Sequence, residues 1–588
     1  MSNPMSEIRL KRTISSALWS AYGDALGFPT ELASDRTVQQ RIGHSKITRT
    51  EPWKRQVGGR FGTLAQLPAG AYSDDTQLRL ATSRAITGQG YFDVEAFAKI
   101  ELPVWQCYAL GAGRGSKAAA SALCNRSNSW FGNFFTNYEN GGGNGAAMRI
   151  QPHIWAATDT KNKDSYLPDV IRNALCTHGH MRGVAGAVVH AVSVANALAS
   201  GRVSGPEQWL ALADDIRNIP QLIAADSELS TFWLPIWEQK SRRTLNIAVD
   251  EVAREWTRSV QAAVNLLSNT STSDYAAIYS QLVSNENGLS KEERGSGLKC
   301  ALFANVAAFL GKRFGSQEII ETVVNLLDSD TDTIATMAGA LIGAANPDAR
   351  FIGPIQDEDY IVAEATRMYE VSQGRQAATF NYPDTLYWQA PRAAIDMLSR
   401  STEGCSLAGL GRAQAIGEVW YGLQKSSIWC WFKLSFGQSV LVRFRSEAKL
   451  DSPIPSSDIN RMDTPDMFPA ADLLSEHGTK IKGARQPEAI IATKAATDLQ
   501  PETTDIKANQ AHHPVDATEL VIQEPILVSS IDLDALTNEA IKGFDPQVIG
   551  GHLLKLAEQP NAISLSIAYT SIVIKARSAR LRQKKLQQ

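Results

Sequence analysis

The feature that most limits what this chain can fold into is the point at which its large aromatics stop. All 13 tryptophans lie at or before Trp431, and no Phe, Trp or Tyr occurs between Phe468 and Phe544. Buried aromatics supply a compact core with much of its hydrophobic stabilisation, so the core-forming part is expected to end near Arg445. The stretch from about 451 to 525 is rich in Pro, Ser, Thr, Asp, Glu and Ala (SPIPSSD, QPETTD, HHPVDATE). Such a segment cannot bury enough apolar area to offset the entropy of ordering it. It reads as a flexible linker with one short helix near 469–475. Four parts follow: a body over 1–375, an extension over 376–446, the linker over 447–528 and a C-terminal segment over 529–588. The length of 588 residues, at roughly 150 per domain, allows about two to four domains.

Within the body the pattern is helical nearly throughout. Ala187, Val188, Ala191, Val192 and Ala195 fall on one stripe of a helix, and similar stripes run through 252–267, 298–310 and 319–327. Beyond it, APRAAIDML reads as a helix. AIGEVWYGL, SIWCWFKLSF and QSVLVRFR, spanning 415–445, read as a strand meander because they are rich in aromatic and β-branched residues. Helical periodicity returns over 531–586, through Leu533, Leu536, Ala540, Leu553, Leu554, Leu556 and Ala557. Its end, KARSARLRQKKLQQ, holds six basic residues and no acid. That end is either a solvated helix terminus or a tether for nucleic acid or a scaffold. The fold class expected is mainly α, with a small β-meander appendage and a helical tail.

Charge and cysteine usage exclude several classes. Lys+Arg 58 against Asp+Glu 61 leaves a formal charge of −3, so the whole chain is no polyelectrolyte for nucleic acid or anionic lipid. Six cysteines with no CxxC pair make neither a disulfide framework nor a structural zinc site. No apolar run approaches the ~18 residues needed to span a bilayer, and the N-terminus lacks a signal-peptide core. A cytoplasmic protein without a membrane partner is expected.

Three segments put acids beside hydroxyl residues at apparent helix starts. GDALGFPTE carries Asp24 and Glu31; YSDDT carries Ser73, Asp74, Asp75 and Thr76; DSDTDTIATMAGALIGA carries Asp328, Asp330, Asp332 and Thr333. Helix capping explains any one of them. Capping needs one oxygen, however, and Asp-Asp and Asp-x-Asp supply surplus charge that repels itself unless solvated or neutralised. Mg²⁺, which takes oxygen ligands, would answer that surplus; from charge alone, a two-ion site and a set of caps stay open. The nine histidines form no HExxH or His-Asp pair, which argues against zinc hydrolases. The glycine loops GAGRGS and NGGGNGAAMR expose backbone N–H groups suited to a diphosphate, or are simply flexible loops. His178 and His180, in CTHGHMRG, precede an Ala/Val-rich helix as buried, capping or functional histidines.

In this order, GDALGFPTE, YSDDT, GGGNGAAMR, CTHGHMRG and DSDTDTIATMAGALIGA resemble the signatures of the ADP-ribosylglycohydrolase family, over about residues 10–375. The resemblance implies a compact all-α fold with a dinuclear Mg²⁺ centre, or Mn²⁺ in some members, at the bottom of an ADP-ribose cleft. It implies metal ligands at Ser73, Asp74 and Asp75, with Ser73 standing where Thr is usual, and at Asp330, Asp332 and Thr333. Asp328-Ser329 replaces the usual Gly-Gly. Glu31 matches the glutamate that approaches the metals and the scissile bond. Gly113 and Gly115 match a phosphate-contacting loop, Asn144, Gly145, Ala146 and Met148 the loop beneath the distal ribose, and His178 a histidine near the pyrophosphate. GAGRGS lacks the aspartate that some members use as base, which moves acid/base work to Glu31, with Asp75 second. The extension past about 372 is not covered; target recognition or self-association are the roles left for it.

The reaction expected is hydrolysis of the bond between ADP-ribose and a modified protein side chain, nucleic acid or small molecule. The rival is a catalytically silent ADP-ribose reader or scaffold. Retention of every acidic ligand disfavours the reader, which needs no dinuclear charge cluster.

Overall fold

Two helices from opposite ends of the body, Pro4–Gly27 and Thr331–Ala345, pack main chain against main chain. At Gly343 an added Cβ would collide with the Ser15 carbonyl, at Gly339 with that of Trp19, and at Gly23 with that of Ala335. At Gly27 it would lie 2.5 Å from the Asp332 Cα. The pairs show that the helices run antiparallel, and both glycine pairs repeat at i, i+4 and so share a face. This close approach lays the last turn of the first helix beside the opening of the second. Asp24 thereby comes to the same place as Asp330–Thr333.

The computed structural model describes residues 4–445 apart from 270–273, 386, 402–403 and 424–426, and residues 531–580 apart from 560–561, 563–564, 568, 571, 575 and 578–579. It divides into two units, Met1–Phe468 and Pro469–Gln588. In the first, Met181–Ser200 and Gly297–Phe314 pack beside Thr331–Ala345. Trp19, Trp105, Trp209 and Trp256 are among the side chains fully enclosed by the helices. Contrary to expectation, Met181–Ser200 is long and apolar enough to cross a membrane by length and composition; here it lies mostly buried inside the helical body. A helix apolar on every face is stable wherever neighbours cover it.

Two further corrections concern strands. A hairpin interrupts the helical body: Trp53–Val57 (β1) pairs antiparallel with Thr63–Leu67 (β2), Arg55 opposite Ala65. Arg55 on its inward face and the exposed Leu64 on its outward face break the apolar alternation that would reveal it. APRAAIDML forms no helix. It contains a single 3₁₀ turn, Ala394–Asp396, and then enters Leu398–Ser401 (β3). The meander therefore has five strands, β3, Gly404–Leu407 (β4), Gly411–Tyr421 (β5), Ser427–Leu434 (β6) and Ser439–Arg445 (β7), in that spatial order. β6 is buried on both faces. Cys430 and Phe432 join the main core, while Trp429 and Trp431 join a second core with Phe28, Trp53 and Leu67.

In the second unit, Leu533–Gly543 and Pro546–Ala557 share a small core of Ala540, Leu556, Tyr569 and Val573. The linker, with its expected helix near 469–475, and the last eight residues of the basic end lie outside the described residues.

Candidate active site

The second and third acidic segments open helices as their capping residues suggest. Ser73 is the N-cap of Asp74–Arg84; its Oγ accepts the Asp75 N–H at 3.2 Å and donates to Asp75 Oδ2 at 3.3 Å. Asp330 is the N-cap of Thr331–Ala345 without a side-chain capping bond, so its carboxylate is left for other partners. The first segment differs from expectation: Asp24 closes a helix rather than opening one, and Glu31 follows in the next turn. Asp24 instead caps a distant helix. Its Oδ1 accepts the Ser73 N–H and its Oδ2 the Thr76 N–H, both at 2.9 Å, which locks Asp74 and Asp75 against the end of the first helix.

The remaining carboxylates are held from several sides. Asp74 Oδ1 accepts the Ala112 N–H at 2.6 Å, from the first glycine loop. Asn144, in the second loop, donates through Nδ2 to Asp330 Oδ2 at 3.0 Å. Asp332 Oδ1 accepts the Thr333 N–H at 2.9 Å. Asp328 stands apart, exposed and at φ +69°, a left-handed conformation that explains why glycine suits this position.

These groups repel one another in a dry setting. Burial, then the charge of Glu31, pushes the Asp74 carboxyl up to about 8. Burial, then Asp24 and Asp74, raises Asp75 well above the ordinary range, and burial with Glu31 raises Asp330 and Asp332. Asp75 Oδ1 is buried without any hydrogen-bond partner, a costly arrangement for a polar oxygen. Arg79, one turn further on, is a buried cation whose field reaches Asp24 and Asp75, yet neither Nη atom makes a hydrogen bond. Among these acids only Glu31 has an ion-pair partner among the described residues: Arg55 Nη2 lies 3.3 Å from its Oε2.

Hard oxygen donors, surplus charge and an orphaned carboxylate oxygen fit a divalent cation of the Mg²⁺ type. Among the described residues no three His, Cys, Asp or Glu side chains stand close enough to bind one ion together. The ligands would have to draw in around the cation.

The glycine loops flank this cluster. Gly111, at φ +109°, lies where a Cβ would strike Asp74. Gly113 is the N-cap of Arg114–Leu123 and has no side-chain capping bond; no atom lies within 4 Å of the place where its Cβ would be. Gly115 is nearly as open. In the second loop Ala146 and Met148 are buried, and Gly145 is squeezed between Ser116 and His178, 2.9 Å and 3.1 Å from the position of an added Cβ. Arg149 fastens this corner, donating to the Gly145 carbonyl at 2.7 Å and to Thr177 Oγ1 at 2.8 Å. Thr177 Oγ1 and His178 Nδ1 are hydrogen-bonded at 2.7 Å. His178 Nε2 faces Gly143 and Gly145. Burial, with Arg149 adding, lowers the His178 pKa to about 3, so the ring stays neutral. His180 is an N-cap, its Nδ1 accepting the Arg182 N–H at 3.1 Å. Arg79, Arg149 and Arg55 were not singled out by motif; the arginine that ends GGGNGAAMR was the one available signal.

Comparison with known proteins bears on the same region. A family model described as ADP-ribosylglycohydrolase matches residues 5–377. The chain is 25% identical over 240 residues to the uncharacterized protein YegU of Escherichia coli strain K12, covering 38% of this chain and 63% of that one. It is 30% identical over 175 residues to the ADP-ribosyl-[dinitrogen reductase] glycohydrolase of Rhodospirillum rubrum, covering 29% and 52%. The matched parts thus span 63% and 52% of these relatives' lengths. Among solved structures, an ADP-ribosylglycohydrolase-related protein complex aligns at 20% identity over 62% of this chain and 99% of the other, with a TM-score of 0.38.

Proposed function

This chain belongs to the ADP-ribosylglycohydrolase family, and on that premise we propose that it hydrolyses the glycosidic bond between ADP-ribose and a modified acceptor. The acceptor is an ADP-ribosylated protein side chain, nucleic acid or small molecule; a relative's name, ADP-ribosyl-[dinitrogen reductase] glycohydrolase, gives the protein case. The observation that carries this reading is Asp75 Oδ1, buried and unpartnered among carboxylates whose pKa values burial has raised. A fold that keeps such a group charged at neutral pH needs a counter-charge.

Ser73, Asp74 and Asp75 would hold one side of a two-Mg²⁺ centre, with Mn²⁺ as the alternative, and Asp330, Asp332 and Thr333 the other. When bound, the ions supply Lewis acidity beside the ribose. The chain's own groups do the rest. The Ala112 N–H and Asn144 aim Asp74 and Asp330. The open first turn at Gly113 and Gly115 offers N–H groups to the diphosphate. His178 presents Nε2 beside Gly145, at the loop assigned to the distal ribose. Glu31, half-buried at the edge of the cluster, moves the proton as the glycosidic bond breaks, because an oxocarbenium-like transition state needs a positioned carboxyl group.

The test is release of free ADP-ribose from arginine-, serine- and nucleobase-linked conjugates, with and without Mg²⁺. Turnover of at least one conjugate is expected. A protein that binds ADP-ribose but releases none from any of them is a reader, and the hydrolase reading fails.

A further inference from the structure

We propose that the five-stranded sheet of Leu398–Arg445, which lies wholly beyond the family-matched residues 5–377, is a positioning element of the active site that holds Glu31 through Arg55 of the β1–β2 hairpin. This rests on the role given to Glu31 above.

The route can be followed bond by bond. The Pro29–Glu31 turn is bolted by two arginines. Arg41 donates to the carbonyls of Pro29 at 2.7 Å and Glu31 at 3.0 Å, and Arg55 pairs with the Glu31 carboxylate at 3.3 Å. The Arg55 guanidinium carbon in turn lies over Phe28, 4.1 Å from the ring centre, so its fork is held by a cation–π contact as well as by charge.

Arg55 is the middle residue of β1, in a two-stranded ribbon. A lone hairpin is marginal in water and needs a further layer to hold it. That layer is β6. Trp431 Nε1 donates to the Gln66 carbonyl of β2 at 3.3 Å, and Trp429 presses on the hairpin turn so closely that a Cβ at Gly58 would collide with its ring. Just past β5, the Leu423 N–H bonds the Phe61 carbonyl at the hairpin tip at 3.1 Å. On the face of the hairpin that carries Trp53 and Leu67, these tryptophans complete a cluster that Phe28, Ala71 and Leu110 also enter.

The sheet is anchored to the body at the other site segment. Asp357 accepts from Tyr72 OH at 2.9 Å, from the Ser439 N–H at 2.6 Å and from Lys433 Nζ at 2.7 Å. Tyr72 immediately precedes Ser73. One rigid sheet thus supports both the glutamate turn and the helix start that carries Asp74 and Asp75. A carboxyl group displaced by about 1 Å can cost up to ~100-fold in rate, so this support is expected to appear in kcat.

The experiment uses the full chain and the variants Trp429→Leu, Arg55→Leu, Arg55→Lys and Glu31→Gln. It measures kcat and KM on whichever ADP-ribose conjugate the wild type cleaves, with hydrogen exchange followed over residues 28–33. Trp429→Leu and Arg55→Leu are expected to lower kcat roughly ten- to hundredfold, to leave KM close to wild type and to speed exchange in the glutamate turn. Arg55→Lys should recover part of the loss. In either background Glu31→Gln should add little, since the two changes act through one group. Should Trp429→Leu fail to fold, the two Arg55 variants carry the test. If Glu31→Gln lowers kcat while Arg55→Leu leaves it unchanged, or if the two losses multiply independently, the positioning role is wrong and the hydrolase reading stands. If Glu31→Gln turns over like wild type, Glu31 takes no part in the chemistry and the positioning role falls, while the hydrolase reading stands.

Discussion

At the scale of single residues, carboxylates in similar surroundings do different work. Asp24 spends both oxygens on the N–H groups of Ser73 and Thr76, so it anchors the helix start that carries Asp74 and Asp75. Glu31 is the acid with a cation beside it and partial solvent access, which suits proton transfer. Glu31→Gln keeps the size and one oxygen, so ADP-ribose release should fall by about 10²–10⁴-fold while ADP-ribose affinity, measured by calorimetry, changes little. Wild-type turnover with normal metal content would remove Glu31 from the chemistry and turn attention to Asp75. A second expectation has two signs. Burial raises the Asp75 pKa in the folded chain, so at neutral pH without cation its charge costs stability. Asp75→Asn should raise the melting temperature of the cation-free protein. The same change should abolish the stabilisation by Mg²⁺, which for the wild type amounts to about 2.7 kcal/mol at a hundredfold excess over Kd. These acids were legible in the sequence because Asp-Asp and Asp-x-Asp exceed what a cap requires. Arg55 was not, because it sits in a polar run and meets Glu31 only through a hairpin.

At the scale of elements, the pairing of Pro4–Gly27 with Thr331–Ala345 is what brings motifs 300 residues apart into one site. Gly339→Ala sets a Cβ against the Trp19 carbonyl, and main chain cannot step aside as a side chain can. A loss of about 1–3 kcal/mol is expected, read as a lower midpoint in urea, and an unchanged midpoint would show that the helices slide freely. The helices themselves were legible from their apolar stripes and the acids at their starts. The glycine spacing that sets their separation was present too, at Gly23/Gly27 and Gly339/Gly343, but means nothing until the partner helix is known. The 390–398 segment misled for a related reason. Ala-Ala-Ile-Asp-Met-Leu has helical propensity, yet its Leu398 pairs with Leu407 in the sheet, and tertiary pairing overrides a weak local preference.

At the scale of the whole molecule, the core carries buried neutral histidines that make stability depend on pH. Burial lowers the His190 pKa to about 3, against an ordinary value near 6.5. Between those values the unfolded chain binds the proton more readily, so this contribution is intact above about pH 6.5 and is lost as the pH falls toward 3, by about 1.4 kcal/mol per pH unit. The raised carboxylates of the acid cluster act in the opposite direction. The contribution of His190 is therefore read as a difference: between pH 6.5 and 4, stability of His190→Gln should fall less steeply than that of wild type by about one proton's worth, and parallel slopes would contradict a neutral buried ring. The extent to which the sheet at 398–445 is built into the site was not visible from sequence, since its tryptophans announce a core without saying whose. The central claim is that the acid cluster is a divalent-cation site serving glycosidic hydrolysis. Its most direct test is to strip the protein with EDTA, confirm by elemental analysis that it is cation-free, and follow release of free ADP-ribose as Mg²⁺ is added back. Release should be absent at the start, rise in step with cation binding, and stay absent in Asp332→Asn; full release from the verified cation-free protein would contradict the account.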